Sequence, residues 1–272
     1  MTRVPLASTY VIPLDDRSTL SRRTFLHAAG VGAVSAIAAA CDVGGVKSAL
    51  ALPSGGRLTA RPSAPTSAIT LGEQPLSLGS GRDGLLYVPA GYIVSRPAPL
   101  VLMLHGATGS ARGALRPFRE LADDAGLVLL APESRGTTWD AIRGSYGPDI
   151  AFIDRALAWT FQHVAIDPAR LTIEGFSDGA TYALGVGLTN GDLFQRVIAF
   201  SPGFILPVDA HARPTVFISH GTRDEILPID QCSRRIVPEL ERSHYHVDYH
   251  EFDGPHAVPP DIAKQAVAWL SA

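Results

Sequence analysis

The chain has 272 residues, of which 46% are hydrophobic and 18% are charged, and its formal net charge is −3. This composition excludes collagen, a coiled coil and a wholly disordered chain, and the small net charge offers no electrostatic basis for binding nucleic acid. Because Cys41 and Cys232 are the only cysteines, the chain has neither a disulfide framework nor a cysteine-rich zinc site.

The N-terminus of the chain predicts an export signal. The pair Arg22-Arg23 precedes an apolar segment, residues 28–40, that is weakly hydrophobic and too short to span a bilayer comfortably. This order resembles a twin-arginine signal peptide, which implies the twin-arginine translocase as a partner and a periplasmic or extracellular location. Residues 49–51 (Ala-Leu-Ala) suit cleavage and soluble release, whereas a lipid anchor at Cys41 is the alternative.

Three segments follow from the pattern along the chain: a signal peptide at 1–51, a linker at 52–68 and a catalytic domain at 69–272. The linker is rich in Pro, Ser, Gly and Thr, which predicts flexibility. The last segment alternates apolar runs with amphipathic stretches, which predicts an α/β domain with a mainly parallel, doubly wound sheet and helices on both faces. The predicted strands are 75–78, 85–89, 100–104, 127–131, 170–175, 196–200, 215–219 and 247–252, and the predicted helices are 111–125, 148–163, 178–188, 230–242 and 259–270. The short connection between residues 200 and 215 predicts that no large lid domain is inserted there.

A G-x-S-x-G motif marks a candidate nucleophile. Gly175-Phe176-Ser177-Asp178-Gly179 follows a predicted strand and precedes a predicted helix, which is the setting that a nucleophile elbow requires. Such a tight turn lifts the serine hydroxyl to a helix N-terminus, where backbone N–H groups stabilise a developing oxyanion. We therefore expect Ser177 to attack the substrate.

Two later residues complete a candidate triad in the order Ser, Asp, His. Asp224 follows the predicted strand 215–219, and His256 follows the last predicted strand. Since catalytic groups gather at the C-terminal ends of parallel strands, His256 is expected to act as the base and Asp224 to orient it. Asp253 stands close in sequence, but only three residues before His256, a spacing that makes the orienting hydrogen bond awkward.

The remaining candidates concern the oxyanion hole and the substrate pocket. The N–H groups of Ala107 and Asp178 are expected to form the hole, because one follows the first buried strand and the other follows the nucleophile. Trp139, Phe176 and Phe204 are candidate pocket walls, with core packing as the alternative for each.

The histidines near the end of the chain do not indicate a metal site. They lack the carboxylate or cysteine spacing of a zinc site, and a serine triad needs neither metal nor cofactor. The three are His244, His246 and His250.

Four short motifs resemble the phospholipase/carboxylesterase branch of the serine α/β-hydrolases. They are LHGATGS, GFSDGA, HGTRDEILP and FDGPHAVP, and the likeness extends over roughly residues 84–270. The resemblance implies the α/β-hydrolase fold and places the functional residues at Ser177, Asp224 and His256. Ala180 stands where many members carry a further glycine, so a substrate preference is not transferred.

The sequence therefore predicts an exported serine hydrolase that cleaves carboxylic esters through an acyl-enzyme, without a cofactor. Its substrate is expected to be a small-molecule or polymeric ester. An exported acyltransferase with the same triad and a polyester or feruloyl esterase are the alternatives.

Overall fold

The computed structural model describes residues 54–79 and 81–271. The predicted twin-arginine signal and the possible anchor at Cys41 lie outside the described residues. In the described ranges the strands are β1 Gly72–Pro75, β2 Gly84–Val88, β3 Ala98–Leu104, β4 Val128–Pro132, β5 Ile166–Phe176, β6 Arg196–Phe200, β7 Thr215–Gly221 and β8 Val247–Phe252. The helices are α1 Ala111–Leu115, α2 Ala122–Ala125, α3 Asp140–Arg143, α4 Pro148–His163, α5 Asp178–Thr189, α6 Ser233–Arg242 and α7 Pro260–Trp269, and a short 3-10 helix spans Ser54–Gly56.

The strands form one mixed sheet in the order β1-β2-β4-β3-β5-β6-β7-β8 within the described part of the chain. The pairs β1–β2 and β2–β4 are antiparallel, and every other neighbouring pair is parallel. β3 and β4 are buried along their whole length, because helices cover both faces of the sheet. The carboxyl ends of β5, β7 and β8 consequently meet at one edge, and each is followed by a candidate catalytic residue.

Two hydrophobic layers enclose the sheet. Side chains of α4, α5 and α6 pack into the layer on one face, and side chains of α1, α2 and α7 pack into the layer on the other. Residues 201–214, between β6 and β7, contain no helix. The prediction of a doubly wound, mainly parallel sheet without a large lid domain is confirmed.

Two predicted elements differ in the structure. The first strand is β1 at Gly72–Pro75 rather than 75–78, because Ser77 turns the chain with a φ of 56° and its N–H binds the Asp83 carboxylate. The predicted helix 111–125 is divided into α1 and α2. Pro117 lies between them, and a proline in a helix interior lacks the N–H for the ladder and clashes with the preceding turn.

The segment expected to be a flexible linker is instead packed against the domain at residues 56–60. The Leu58 side chain is only 2% exposed, and its N–H donates to Asn190 Oδ1 at 2.8 Å. The N–H groups of Thr59 and Ala60 donate to the Asp154 carboxylate. Composition alone did not show this, because the acceptors lie about a hundred residues away in sequence.

No described helix is both long and apolar enough to cross a membrane.

Candidate active site

Ser177 occupies a strained turn between β5 and α5. Its φ of 57° and ψ of −121° lie outside the regions that a non-glycine residue normally adopts. The flanking glycines make the turn possible, because a Cβ at Gly175 would overlap the Gly179 carbonyl and a Cβ at Gly179 would overlap the Leu104 carbonyl. The Ser177 N–H donates to Phe200 O at 2.9 Å, which anchors the turn to the neighbouring strand.

The structure brings His256 and Asp224 into direct contact. His256 Nδ1 lies 2.5 Å from Asp224 Oδ2, so the ring donates its Nδ1–H to the carboxylate. In the neutral ring this hydrogen bond leaves Nε2 without a proton, which is the tautomer that a general base requires. The Phe176 ring, next to Ser177 in sequence, lies 4.7 Å from the imidazole between centroids and joins the elbow to the histidine.

The Asp224 carboxylate is held by the loop that carries it. Oδ1 accepts the N–H groups of Ile226 at 2.9 Å and Leu227 at 2.8 Å. Burial alone would raise the pKa of Asp224, but hydrogen bonds from Leu227 and His256 outweigh it and hold that pKa below its ordinary value. The carboxylate therefore stays ionised and ready to stabilise a positive charge on the ring.

A second histidine, which the sequence analysis did not single out, supports the same carboxylate. His220 is fully buried, and its Nε2 lies 2.7 Å from Leu227 O and 3.2 Å from Asp224 Oδ2. Because a carbonyl oxygen can only accept, Nε2 carries the proton and the Ser233 hydroxyl donates to Nδ1 at 2.6 Å. Burial lowers the pKa of His220, so the ring is neutral and lies beside the carboxylate without forming an ion pair with it.

The acid loop and the histidine loop are in close backbone contact. A Cβ at Gly221 would overlap Gly254 O and lie 2.5 Å from Pro255 O. The Arg223 N–H donates to Gly254 O at 3.0 Å. By contrast, the Asp253 side chain is 80% exposed and pairs with Arg223 Nε at 2.8 Å.

Ala107 and Asp178, the predicted oxyanion-hole residues, follow β3 and the nucleophile turn respectively. Gly106 brings the loop after β3 against the nucleophile, since a Cβ on it would lie 3.3 Å from Ser177 Cβ. Among the described residues, neither the Ala107 N–H nor the Asp178 N–H donates to a protein acceptor. The Asp178 carboxylate accepts the Thr138 hydroxyl at 2.5 Å, which links α5 to the loop after β4.

The three candidate pocket residues occupy different environments. Trp139 is fully buried, and its Nε1–H donates to His105 O at 2.8 Å, which favours packing beneath the oxyanion loop over a pocket wall. Phe204 is 47% exposed, so it is not a core residue. Phe176 is half-buried and lines a cavity together with His256.

His105 has a structural role in the loop after β3. Its Nδ1–H donates to Gly106 O at 2.7 Å, and its Nε2 accepts the Ser134 N–H at 3.0 Å. Burial lowers the pKa of His105, which keeps the ring in this neutral form. The ring thus fixes the turn that carries Ala107.

In residues 54–79 and 81–271 no group of three His, Cys, Asp or Glu side chains is arranged to hold a metal ion. The arrangement at the sheet edge contains a strained serine, an imidazole with a free acceptor nitrogen and a buried carboxylate. Such groups can transfer an acyl group by nucleophilic attack and proton shuttling.

Comparison with known proteins supports this chemistry. Residues 149–271 match the phospholipase/carboxylesterase family. Feruloyl esterase C of Emericella nidulans is 27% identical over 159 residues, covering 56% of this chain and 58% of that protein. The probable acetylxylan esterase A of Neosartorya fischeri is 28% identical over 141 residues, covering 47% of this chain and 38% of that protein. The matches thus span only about half of the length of these curated relatives.

Solved structures agree on the fold. An S-formylglutathione hydrolase from Staphylococcus aureus superimposes with a TM-score of 0.61 at 15% identity, covering 74% of this chain and 98% of that one. Esterase 2 of Thermogutta terrifontis gives 0.56 at 17% identity, covering 77% of this chain and 94% of that one. The chain therefore has the α/β-hydrolase fold, and residues 149–271 are similar to the phospholipase/carboxylesterase family.

Proposed function

We propose that the chain is a serine esterase that hydrolyses carboxylic esters through an acyl-enzyme. The observation that carries the proposal is the hydrogen bond from His256 Nδ1 to Asp224 Oδ2, with the imidazole packed on Phe176, the neighbour of the strained Ser177. Ser177 Oγ attacks the ester carbonyl while His256 Nε2 accepts the hydroxyl proton, and the N–H groups of Ala107 and Asp178 bind the oxyanion. The proton then passes to the leaving alcohol, and water releases the acid by the same steps in reverse.

The names of the similar proteins support an ester as the substrate. Feruloyl and acetylxylan esterases are both named for esters. The first name specifies the acyl group, feruloyl, and the second specifies an acetyl group carried by the alcohol xylan. We carry over the reaction class only, since the identities lie below 30%. An acyltransferase would use the same triad, with an alcohol in place of water.

The test is active-site labelling. A p-nitrophenyl phosphonate should add its phosphonyl group to Ser177 alone and abolish hydrolysis of p-nitrophenyl butyrate. The Ser177→Ala variant should neither be labelled nor hydrolyse the ester. Ser201→Ala is the matched control, because Ser201 is also a buried serine with a positive φ, of 51°, but lies outside the G-x-S-x-G turn. Labelling of a serine other than Ser177 would refute the assignment. Adding an alcohol acceptor distinguishes transfer from hydrolysis.

The proposed segments are an export signal at 1–51 and a catalytic domain that follows it. Export rests on the Arg22-Arg23 pair, and we expect release into the periplasm or medium. Replacing both arginines with lysine keeps the charge but removes the planar guanidinium groups, so the precursor should accumulate inside the cell. Unchanged export would reject the twin-arginine signal. Loss of membrane association on Cys41→Ser would instead establish the lipid anchor.

A further inference from the structure

A cavity of about 650 Å³ lies beside the candidate catalytic histidine, between α1 and α7. Its walls on the side of the active site include Gly106, Ala107, Phe176 and His256. The cavity therefore shares walls with both the oxyanion loop and the histidine loop. When an ester is bound at Ser177, a group attached to that ester would lie next to this cavity.

The inner wall of the cavity contains an acidic residue inside the sheet. Glu174 lies in β5, paired with Met103 of β3 and Ile198 of β6. Residues in register on neighbouring strands point to the same face, and Met103 and Ile198 belong to the hydrophobic layer beneath α1 and α7. The Glu174 side chain therefore points to the face of the sheet on which the cavity lies.

One oxygen of this carboxyl group has no hydrogen-bond partner in the part of the chain that the structure describes. Glu174 is 1% exposed, and its Oε2 has no hydrogen-bond partner among the described residues. Burial raises the pKa of Glu174 well above its ordinary value, so the group is an uncharged carboxylic acid. A buried unsatisfied polar group is costly, and this one lies in a layer that is otherwise apolar.

The charged residues around the cavity are exposed and bear both signs. Arg116, Glu120 and Lys264 line it, and no ion pair joins any described residue to Glu174. An uncharged acid offers one O–H donor and one carbonyl acceptor, which together match a hydroxyl group. A ligand with a full charge would find no counter-ion at the inner wall.

We infer that this cavity is a substrate subsite that binds a hydroxyl-bearing group of the ester, with Glu174 exchanging hydrogen bonds with that hydroxyl. The inference rests on the proposed esterase function and defines the substrate class of the same site. The hydroxyl is carried either on the acyl group or on the alcohol of the ester. Both sources present the same chemistry to Glu174, and the test separates them.

The test compares kcat/KM for two matched pairs of esters. Methyl 4-hydroxycinnamate against methyl cinnamate places the hydroxyl on the acyl side, and 2-(4-hydroxyphenyl)ethyl acetate against 2-phenylethyl acetate places it on the alcohol side. We expect the wild type to favour the hydroxylated member of one pair. Glu174→Met should reduce that preference about tenfold, as expected for one hydrogen bond lost in a buried site. Glu174→Gln keeps a neutral donor and acceptor and should retain most of the preference.

The control variant is Ser219→Ala. Ser219 is also a fully buried polar residue with an unpartnered side-chain oxygen, but it does not line the cavity, so its removal should leave both ratios unchanged. Equal ratios in the wild type and Glu174→Met for both pairs would overturn the subsite, as would an equal loss in Glu174→Gln and Glu174→Met.

Two further measurements separate the subsite from the proposed esterase function and from a failure of the variant to fold. Ser177-dependent hydrolysis of the unsubstituted esters reports on the proposed function separately, because it does not involve the hydroxyl. If Glu174→Met does not fold, competitive inhibition of the wild type by 3-(4-hydroxyphenyl)propanamide against 3-phenylpropanamide, and by 2-(4-hydroxyphenyl)ethanol against 2-phenylethanol, gives the same comparison. Equal inhibition within both pairs would overturn the subsite.

Discussion

Replacing Asp224 with asparagine should disable the proposed triad while leaving the domain folded. The carboxylate accepts three hydrogen bonds, from the Ile226 and Leu227 N–H groups at Oδ1 and from His256 Nδ1 at Oδ2, and His220 Nε2 also lies 3.2 Å from Oδ2. An amide has only one accepting oxygen. If that oxygen stays on the backbone N–H groups, the new NH₂ faces His220 and His256 and stabilises the tautomer of His256 that carries its proton on Nε2.

The expected loss follows from that tautomer. An imidazole protonated on Nε2 cannot accept the Ser177 proton, and such a change lowers kcat by up to about 10⁴-fold. At about 1.36 kcal/mol per tenfold, this corresponds to roughly 5 kcal/mol of lost transition-state stabilisation. The donor-to-donor contact with His220 Nε2, 3.2 Å from the present oxygen, should also reduce the free energy of unfolding by about 1–3 kcal/mol.

The assay is stopped-flow acylation with p-nitrophenyl butyrate, with urea unfolding measured in parallel. Asp253→Asn is the matched control, because this carboxylate is 80% exposed and bound to Arg223, and its change should alter kcat less than threefold, or about 0.6 kcal/mol. The assignment of the acid would be refuted if Asp253→Asn were the crippling change and Asp224→Asn were mild.

Three further changes test other parts of the structure. Burial raises the pKa of Glu174 in the folded state. With respect to this residue, the folded state is therefore most stable at pH values below the pKa that Glu174 has in the unfolded chain, and it loses stability as the pH rises toward the pKa of Glu174 in the folded state. Glu174→Gln should therefore be more stable than the wild type at pH 8, by about 1.4 kcal/mol per unit of pKa rise, and the gain should vanish near pH 4 in urea titrations. Gly221→Ala should lower both Tm and kcat through overpacking against Gly254 O, worth about 1–3 kcal/mol, and an unchanged Tm would contradict the close contact of the two loops. Trp139→Phe should reduce the free energy of unfolding by about 1–3 kcal/mol because His105 O loses its buried donor, and no change would show that water replaces it.

Local patterns were sufficient to predict most of the sheet and the contact between Asp224 and His256. Gly175 and Gly179 predicted the tight turn. The apolar runs predicted that Asp224 and His256 each follow a strand, and these strands end at the same edge of the sheet. Other contacts between distant segments could not be predicted in this way. His220, whose Nε2 lies 3.2 Å from Asp224 Oδ2, belongs to β7, and nothing in the residues of that strand indicates the contact.

Side-chain environments were also beyond the sequence. Trp139 and Phe204 were equivalent candidates as aromatic residues near the site, yet one is fully buried and the other is 47% exposed. In the sequence, Glu174 is a single acidic residue within the predicted strand 170–175. Its significance depends on a cavity between α1 and α7, and periodicity carries no information about such a space.

The packed segment at residues 56–60 defines where an expressed catalytic domain should begin. Arg57 donates to Thr189 O at 2.8 Å and pairs with Asp192, so this segment caps the C-terminal end of α5, the helix that begins at the nucleophile. An expression clone starting at residue 69 would expose the surface covered by Leu58 and leave Asn190 without two of its partners. A clone starting at residue 54 keeps these contacts and is the better choice for crystallisation or for enzyme engineering.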